Sequence, residues 1–189
     1  MFFFIKKYTF IIIILFVHLF TADKIHASED AEIHDLILSK NNNSLFLSFT
    51  ITNAFSKKIK DIIQSSIPVI FSFDIEINKK RKFFPDKEIY EKEIIHKLKY
   101  SSLTKIYFLK KPYISEEPYL INSKKKAFSE MVTIRDFKLD AKLAEGSEYI
   151  IRVRARLQEI TLPLYLHKIF FFLSAWDFKT DWYELDLKI

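Results

Sequence analysis

Three arginines at alternating positions form the most distinctive chemical pattern in the chain. Arg152, Arg154 and Arg156 lie within residues 149–157, and apolar side chains occupy the positions between them. Successive side chains of a strand point to opposite faces, so this spacing puts all three guanidinium groups on one face. A planar guanidinium binds phosphate or carboxylate groups through two parallel hydrogen bonds. One hypothesis is therefore a stripe that binds an anionic ligand, such as a lipid head group or a cell-wall polymer.

The same three arginines also have a purely structural interpretation. Asp74 and Glu76 lie on the polar face of another strand-like run, residues 69–78, in which apolar and polar side chains alternate. Cross-strand pairs of opposite charge contribute about 0.2–1 kcal/mol each and help to fix the register of a sheet. We favour this pairing over ligand binding, but the sequence leaves both interpretations open.

Most catalytic signatures are missing from the sequence. The chain has no cysteine and one glycine, Gly146. That composition excludes thiol nucleophiles, disulfides, glycine-rich phosphate loops and the G-x-S-x-G nucleophile elbow. Beyond the N-terminal segment, His34, His96 and His167 are far apart and lack the spacing of metal ligands. His96 is in phase with apolar positions, so we expect a partly buried histidine with hydrogen-bond partners rather than a metal ligand. The sequence predicts a non-catalytic protein with no metal and no cofactor.

The net charge does not point to nucleic acid. The chain carries a formal charge of +6, but basic and acidic residues are interspersed along it. A mixture of both signs is typical of a solvated surface. We therefore expect no nucleic-acid partner, while peripheral contact with an anionic membrane stays open.

The first 27 residues resemble a targeting segment. Lys6 and Lys7 precede an apolar run that ends at Phe20, and Ala27 provides a small residue at the cleavage site. Cleavage would leave residues 28–189 as a single domain with Ser28 as the new N-terminus. In the alternative, residues 8–22 stay as an anchor in the inner membrane. Both interpretations predict an exported protein, periplasmic or associated with the envelope.

Short strands must position these side chains. Alternation of apolar and polar residues predicts seven strands, at residues 31–39, 45–51, 69–78, 89–100, 104–109, 149–157 and 182–189. A first short helix carries Phe55, Ile59, Ile62 and Ile63, with Asn53 as its N-cap. A second helix begins after Ser123. Pro112 and Pro118 indicate a loop in which only edge pairing is allowed.

Gly146 and Tyr149 sharpen the fold prediction. The segment LAEGSEY at residues 143–149 places a glycine turn and a tyrosine before the arginine-bearing strand. This order resembles the tyrosine corner of immunoglobulin-like and fibronectin-like sandwiches, in which the tyrosine hydroxyl bonds to the backbone a few residues upstream. The sequence therefore predicts an all-β immunoglobulin/fibronectin-like β-sandwich with two or three short helices. Gly146 and Tyr149 are structural residues in this interpretation.

The apolar run at residues 164–173, followed by Trp176 and Trp182, has two interpretations. It forms either a membrane-binding or partner-binding patch, or a plug that closes one end of the sandwich. We favour the plug, because the run has too few charged residues for an interfacial helix.

Several segments taken in order resemble a bacterial family of unknown function, number 4390 in the domain-of-unknown-function series. They are residues 66–77 (SIPVIFSFDIEI), 80–86 (KRKFFPD), 98–100 (LKY), 146–157 (GSEYIIRVRARL), 162–164 (LPL) and 176–183 (WDFKTDWY). The resemblance implies export and a single domain, and it supplies no catalytic residue. Some family members lie beside sensor-kinase genes, which implies a link to envelope signalling.

We therefore expect a non-catalytic envelope module that binds a protein partner or an anionic envelope component. The alternatives are a membrane-tethered accessory of an envelope sensor and, less favoured, a hydrolase with an unfamiliar site.

Overall fold

The structure is a computed structural model that describes residues 31–41, 44–158 and 178–189. The predicted targeting segment and the apolar run at residues 164–173 lie outside these ranges, as do His167 and Trp176. Among the residues that the structure describes, no helix has both the length and the hydropathy needed to cross a bilayer.

Nine strands and two helices make up the described part of the chain. In chain order they are β1 (Glu32–Asn41), β2 (Ser44–Thr52), α1 (Lys57–Gln64), β3 (Val69–Lys79), β4 (Lys87–Ser101), β5 (Ile106–Lys111), β6 (Ser115–Ile121), α2 (Lys124–Met131), β7 (Thr133–Leu139), β8 (Glu148–Leu157) and β9 (Tyr183–Lys188). All seven predicted strands are present with small shifts at their ends.

The strands form two antiparallel sheets. One has the order β1-β2-β7, and the other has the order β6-β5-β4-β3-β8-β9. This is the connectivity of an immunoglobulin-like sandwich, in which strands A, B and E lie in one sheet and strands C, F and G lie in the other. Here β1, β2 and β7 correspond to strands A, B and E. Strands β3, β8 and β9 correspond to strands C, F and G. The predicted all-β sandwich is confirmed.

The core lies between the inner faces of these sheets. Leu47 and Phe49 of β2 are buried, and the ring of Phe49 meets that of Phe73 of β3 edge to face with centroids 5.8 Å apart. Ile151 and Val153 of β8 are also fully buried. Alternation along each strand sends these apolar side chains inward and leaves the polar side chains on the outer face.

The two helices pack against the six-stranded sheet. Helix α1 contacts β3 and β4, and α2 contacts β4, β5 and β6 as well as β7 of the other sheet. Helix α1 begins one residue after Ser56, whose hydroxyl accepts a hydrogen bond from the backbone N–H of Ile59 at 3.3 Å. The prediction of Asn53 as N-cap is wrong, since Asn53 follows β2 with a positive φ of 52°. Phe55 consequently precedes the helix, and its ring stacks on Phe128 of α2 at 4.5 Å.

Strand β7 has no counterpart in the sequence prediction. Its register against β2 shifts between Leu47 and Phe49, and Asp136 has a positive φ of 47°. This bulge places Ile134 and Phe137, three residues apart, on the same buried side. The period of two is lost, so alternation could not reveal the strand.

The predicted loop between Pro112 and Pro118 also contains a strand. Pro118 lies inside β6, which is the outermost strand of its sheet. An edge strand tolerates proline because its missing N–H can face away from the ladder.

Candidate binding sites

The arginines of β8 lie on the outer face of the six-stranded sheet, beside carboxylates of the neighbouring strands. Two of them share Asp74 of β3. Nη2 of Arg154 and Nε of Arg156 each donate to Oδ2 of Asp74 at 2.7 Å, and Nη2 of Arg156 donates to Oδ1 at 2.8 Å. Partial burial alone would raise the pKa of Asp74. The hydrogen bonds from Arg156 and Arg154 outweigh burial and hold its pKa below the usual value of 3.8.

The third arginine bridges two other strands. Arg152 donates from Nη1 to Glu76 of β3 at 3.2 Å and from Nε to Glu184 of β9 at 3.0 Å. The ring of Trp182 lies over Arg152 and Arg154, with its centroid 4.5 Å and 4.2 Å from their guanidinium carbons. Aromatic faces attract cations at such distances.

We call this set of ion pairs the arginine ladder; it also includes the bond from Arg156 Nη2 to Glu93 of β4 at 2.9 Å. Every arginine of the stripe has at least one carboxylate partner, and two lie under an indole ring. This geometry favours the pairing interpretation, because a ligand anion would have to compete with carboxylates already in place. Anion binding by Arg152, Arg154 and Arg156 stays a prediction.

The predicted corner has the expected contacts. The hydroxyl of Tyr149 accepts a hydrogen bond from the backbone N–H of Ala144 at 2.8 Å, and the tyrosine is 1% exposed. Gly146 has a φ of 72°, a conformation that favours glycine, and its N–H donates to the carbonyl of Ile189 at 2.8 Å. Both residues hold the turn that leads into β8.

His96 is fully buried and has two partners. Its Nδ1–H donates to the carbonyl of Met131 at 2.7 Å, and Nε2 faces the hydroxyl of Tyr113 at 3.3 Å. Burial lowers the pKa of His96 to about 3, so the ring is neutral at physiological pH. Burial also raises the pKa of Tyr113 to about 12. The predicted hydrogen bonds are present, and the ring is completely buried where partial burial was predicted.

Next to this histidine lies an ionic cluster that sequence reasoning missed. Lys111 of β5 is 4% exposed, and its Nζ donates to Glu130 of α2 at 3.2 Å and to the carbonyl of Thr133 at 3.3 Å. Arg135 of β7 donates from Nη1 to both carboxylate oxygens of Glu130 at 2.9 Å. The cluster thus ties together three elements that meet at one corner of the sandwich.

The pKa values of the cluster follow from burial and pairing. Burial lowers the pKa of Lys111 despite its hydrogen bond to Glu130. Glu130 is less deeply buried, so the hydrogen bonds from Arg135 and Lys111 outweigh its desolvation and lower its pKa. Its carboxylate is therefore ionised at neutral pH. One feature of the sequence could have revealed the cluster. Lys111 is in phase with Tyr107 and Leu109, the buried residues of the same strand.

The residues of the ionic cluster line a cleft of about 460 Å³ between β6 and α2. Apolar side chains form its walls, and two of them, Ile114 and Leu120, are 55% and 65% exposed. The residues that line it are Leu109, Lys111, Tyr113, Ile114, Tyr119, Leu120, Ile121, Lys126, Glu130 and Arg135. Three basic side chains face one carboxylate there, so the cleft suits a ligand that combines an anionic group with apolar side chains.

The described ranges 31–41, 44–158 and 178–189 contain no candidate metal site. No group of three or more His, Cys, Asp or Glu side chains converges there in a way that would hold a metal ion.

The fold and the surface contacts define an immunoglobulin-like β-sandwich with an ionic ladder on one sheet and a cationic cleft at the edge of that sheet. Residues 28–186 match the family model described as "Domain of unknown function (DUF4390)", so the chain belongs to that family. No curated protein and no solved structure matched the chain.

Proposed function

We propose that this protein is an exported, non-catalytic module of the bacterial cell envelope that binds a protein partner. The observation that carries the proposal is the cleft between β6 and α2. It combines exposed apolar walls with an excess of positive charge, since Lys111, Lys126 and Arg135 line it with the single carboxylate of Glu130. The three arginines of the ladder, by contrast, share four carboxylates.

The position of the cleft suits a segment of another protein. Strand β6 pairs with β5 and is the outer strand of its sheet, so an extended chain can lie alongside it. Pro118 lacks an N–H and limits how many backbone hydrogen bonds an added strand could form. Most of the affinity must then come from side chains in the cleft. An acidic residue of the partner would meet Arg135 and Lys126 while apolar neighbours pack on Leu120.

One observation supports the less favoured alternative, a hydrolase, because titratable groups converge at the cleft. The protonation states and hydrogen bonds of these groups suit binding better than catalysis. The pKa of Tyr113 is raised to about 12, so its hydroxyl is protonated and a weak nucleophile at neutral pH. Nζ of Lys111 is engaged by Glu130 and by the Thr133 carbonyl. No serine or threonine side chain is among the residues that line the cleft.

The test of this proposal is site-specific photo-crosslinking in intact cells. A photoreactive residue at position 120, on the cleft wall, is compared with one at position 103, where Leu103 is 94% exposed in the turn between β4 and β5. We expect a discrete crosslinked protein from position 120 and none from position 103. The same product from both positions would contradict a partner bound at the cleft.

Charge variants make the test specific to the cleft. Replacing both Lys126 and Arg135 by glutamine removes two cations, and we expect the captured protein, once purified, to bind roughly tenfold more weakly, or about 1.5 kcal/mol. Glu130 keeps its bond to Lys111 in this variant, so the domain stays folded. Lys125→Gln is the matched control, since this exposed lysine of α2 does not line the cleft. Equal losses in both variants would contradict the proposal.

The tethered alternative differs in the fate of the N-terminal segment. N-terminal sequencing of the membrane and soluble fractions distinguishes the two forms. A new N-terminus at Ser28 in the soluble fraction supports the exported module, whereas Met1 retained in the membrane fraction supports a sensor accessory anchored by residues 8–22.

A further inference from the structure

The hairpin tip between β3 and β4, residues 79–87, exposes two adjacent phenylalanines among basic residues. Phe83 and Phe84 are 90% and 71% exposed. The tip has five basic residues and one acidic residue, Asp86; the basic ones are Lys79, Lys80, Arg81, Lys82 and Lys87. We call these nine residues the basic tip.

The phenylalanines of the basic tip lie outside the core formed by the described residues. Neither belongs to the core cluster or to the partly buried side chains packed against it. An isolated exposed apolar side chain is ordinary, but two neighbouring phenyl rings at the end of a hairpin present a continuous apolar surface to water. Such a surface is stabilised only when another apolar phase covers it.

Hydrogen bonds and an ion pair with neighbouring strands fix the base of the basic tip. The N–H of Lys80 donates to the carbonyl of Glu148 at 2.9 Å, and its Nζ pairs with Asp186 at 2.7 Å. Within the tip, the N–H of Arg81 donates to Oδ1 of Asp86 at 3.2 Å. The rings are therefore presented by a hairpin that is bonded to β8 and β9 at its base.

We propose that the basic tip is a membrane-docking element that inserts Phe83 and Phe84 into the interface of a bilayer containing anionic lipids. Lys82 and its basic neighbours then lie at the level of the phosphate groups. Charge complementarity selects this occupant, because juxtamembrane basic clusters are attracted to anionic lipid surfaces. A protruding apolar pair suits a deformable bilayer, whereas a protein partner would need a matching pocket. Apolar insertion together with a basic cluster supplies the two signals that stable peripheral attachment requires.

Docking at the tip would leave the cleft accessible. Lys87 is at the tip end of β4, and His96, beside the ionic cluster, is nine residues further along the same strand. At about 3.3 Å per residue, this separation is roughly 30 Å. The two proposed sites can therefore be occupied at once and tested separately.

The chain's lack of cysteine allows a direct experiment on the full-length protein. Lys82→Cys is labelled with an environment-sensitive fluorophore and mixed with vesicles of phosphatidylcholine and phosphatidylglycerol. We expect the emission to shift to the blue as the label leaves water. Leu103→Cys, labelled in the same way, is the control, and its emission should not change. Equal shifts at both positions would show attachment through another part of the chain and overturn the proposal.

Variants in the labelled protein separate the apolar contribution from the charged one. Replacing Phe83 and Phe84 by serine should weaken vesicle binding at least tenfold. Replacing Arg81 and Lys87 by glutamine should weaken it about tenfold and reduce its dependence on salt, whereas the same change at Lys125 and Lys142 should not. Retained binding in the serine variant, or binding to vesicles of phosphatidylcholine alone that is equally tight, would overturn the proposal. Crosslinking at the cleft is measured independently of either outcome.

Discussion

Tyr149 links the turn before β8 to the strand itself through one hydroxyl group. The hydroxyl accepts from the N–H of Ala144 and lies 3.4 Å from the carbonyl of the same residue. At 1% exposure, no water can replace it. A buried backbone N–H without a partner costs free energy, so this bond contributes to the stability of the corner.

Tyr149→Phe should therefore lower the free energy of unfolding by about 1–2 kcal/mol, because the N–H of Ala144 loses its partner inside the protein. Urea denaturation measures this change. Tyr183→Phe is the control, since Tyr183 is 42% exposed on β9, and we expect a change within about 0.5 kcal/mol. An unchanged unfolding free energy in Tyr149→Phe would contradict a structural role for the corner.

The tyrosine corner at residues 143–149 could be predicted from the sequence because its hydrogen bond joins residues close together in the chain. The donor, the glycine turn and the tyrosine all lie within six residues of one another, so a short pattern carries the geometry. The cluster of Lys111, Glu130 and Arg135 joins residues from three elements, and no local pattern encodes it.

At the scale of elements, the arginine ladder connects four neighbouring strands, β4, β3, β8 and β9. Asp74 is 13% exposed at its side chain and Arg154 is 21% exposed, so the central pair is partly shielded from water. Removing the partner of a shielded charge lowers the free energy of unfolding more than breaking an exposed surface pair does. The ladder therefore stabilises the register of β8 against β3, in which Arg154 lies opposite Asp74.

Arg154→Ala should lower the unfolding free energy by about 1–2 kcal/mol, because Asp74 keeps Arg156 but loses one guanidinium, and because Trp182 loses one of the two cations that its ring covers. Thermal denaturation measures the loss, and binding to anionic vesicles should not change. Lys92→Ala, an exposed position of β4, is the control. If Arg154→Ala left the midpoint unchanged and abolished vesicle binding, the stripe would be an anion site and the pairing interpretation would be wrong.

The sequence predicted the elements whose packing is regular. The alternation of β3 and β8 faces the core on one side only, so the sequence period shows directly in the structure. Helix α1 was found from its apolar spacing, but its start was misplaced, because Asn53 and Ser56 are both good capping residues. Choosing between them depends on where β2 ends, which its pairing with β1 and β7 decides.

At the scale of the whole molecule, burial of His96 couples stability to pH. Its folded pKa of about 3 lies below the unfolded value of 6.5. The unfolded state therefore binds a proton that the folded state does not, and stability falls as the pH drops from about 6.5 towards 3. Lys111 and Glu130 face the ring with opposite charges, and burial is the largest cause of the shift.

Between about pH 7.5 and about pH 5, this group alone should reduce the unfolding free energy by about 2 kcal/mol. Urea denaturation at the two pH values measures the difference. His96→Gln should remove most of it, even if the variant is less stable at both values. His34→Gln should retain it, since the side chain of His34 is 51% exposed. A pH dependence that survives in His96→Gln would contradict the assignment.

The start of β1 and the basic tip can be located at particular ends of the sandwich. Glu32, at the start of β1, pairs with Thr52 at the end of β2. Lys40, at the other end of β1, lines a surface cleft together with Glu145 and Lys188. Lys188 is paired with Glu148, to which the base of the basic tip is bonded. The start of β1 and the basic tip therefore lie at opposite ends of the domain.

The sequence by itself determined seven of the nine described strands, the single-glycine corner and the family, because alternation, turn residues and motif order are local properties of the chain. Tertiary structure decided which charges meet. Contacts between residues far apart in the chain pair the three arginines with carboxylates and bury the lysine at the cleft. The same folded arrangement leaves Phe83 and Phe84 exposed. Burial and pairing across strands set the pKa values and surface chemistry, and only the folded arrangement specifies them.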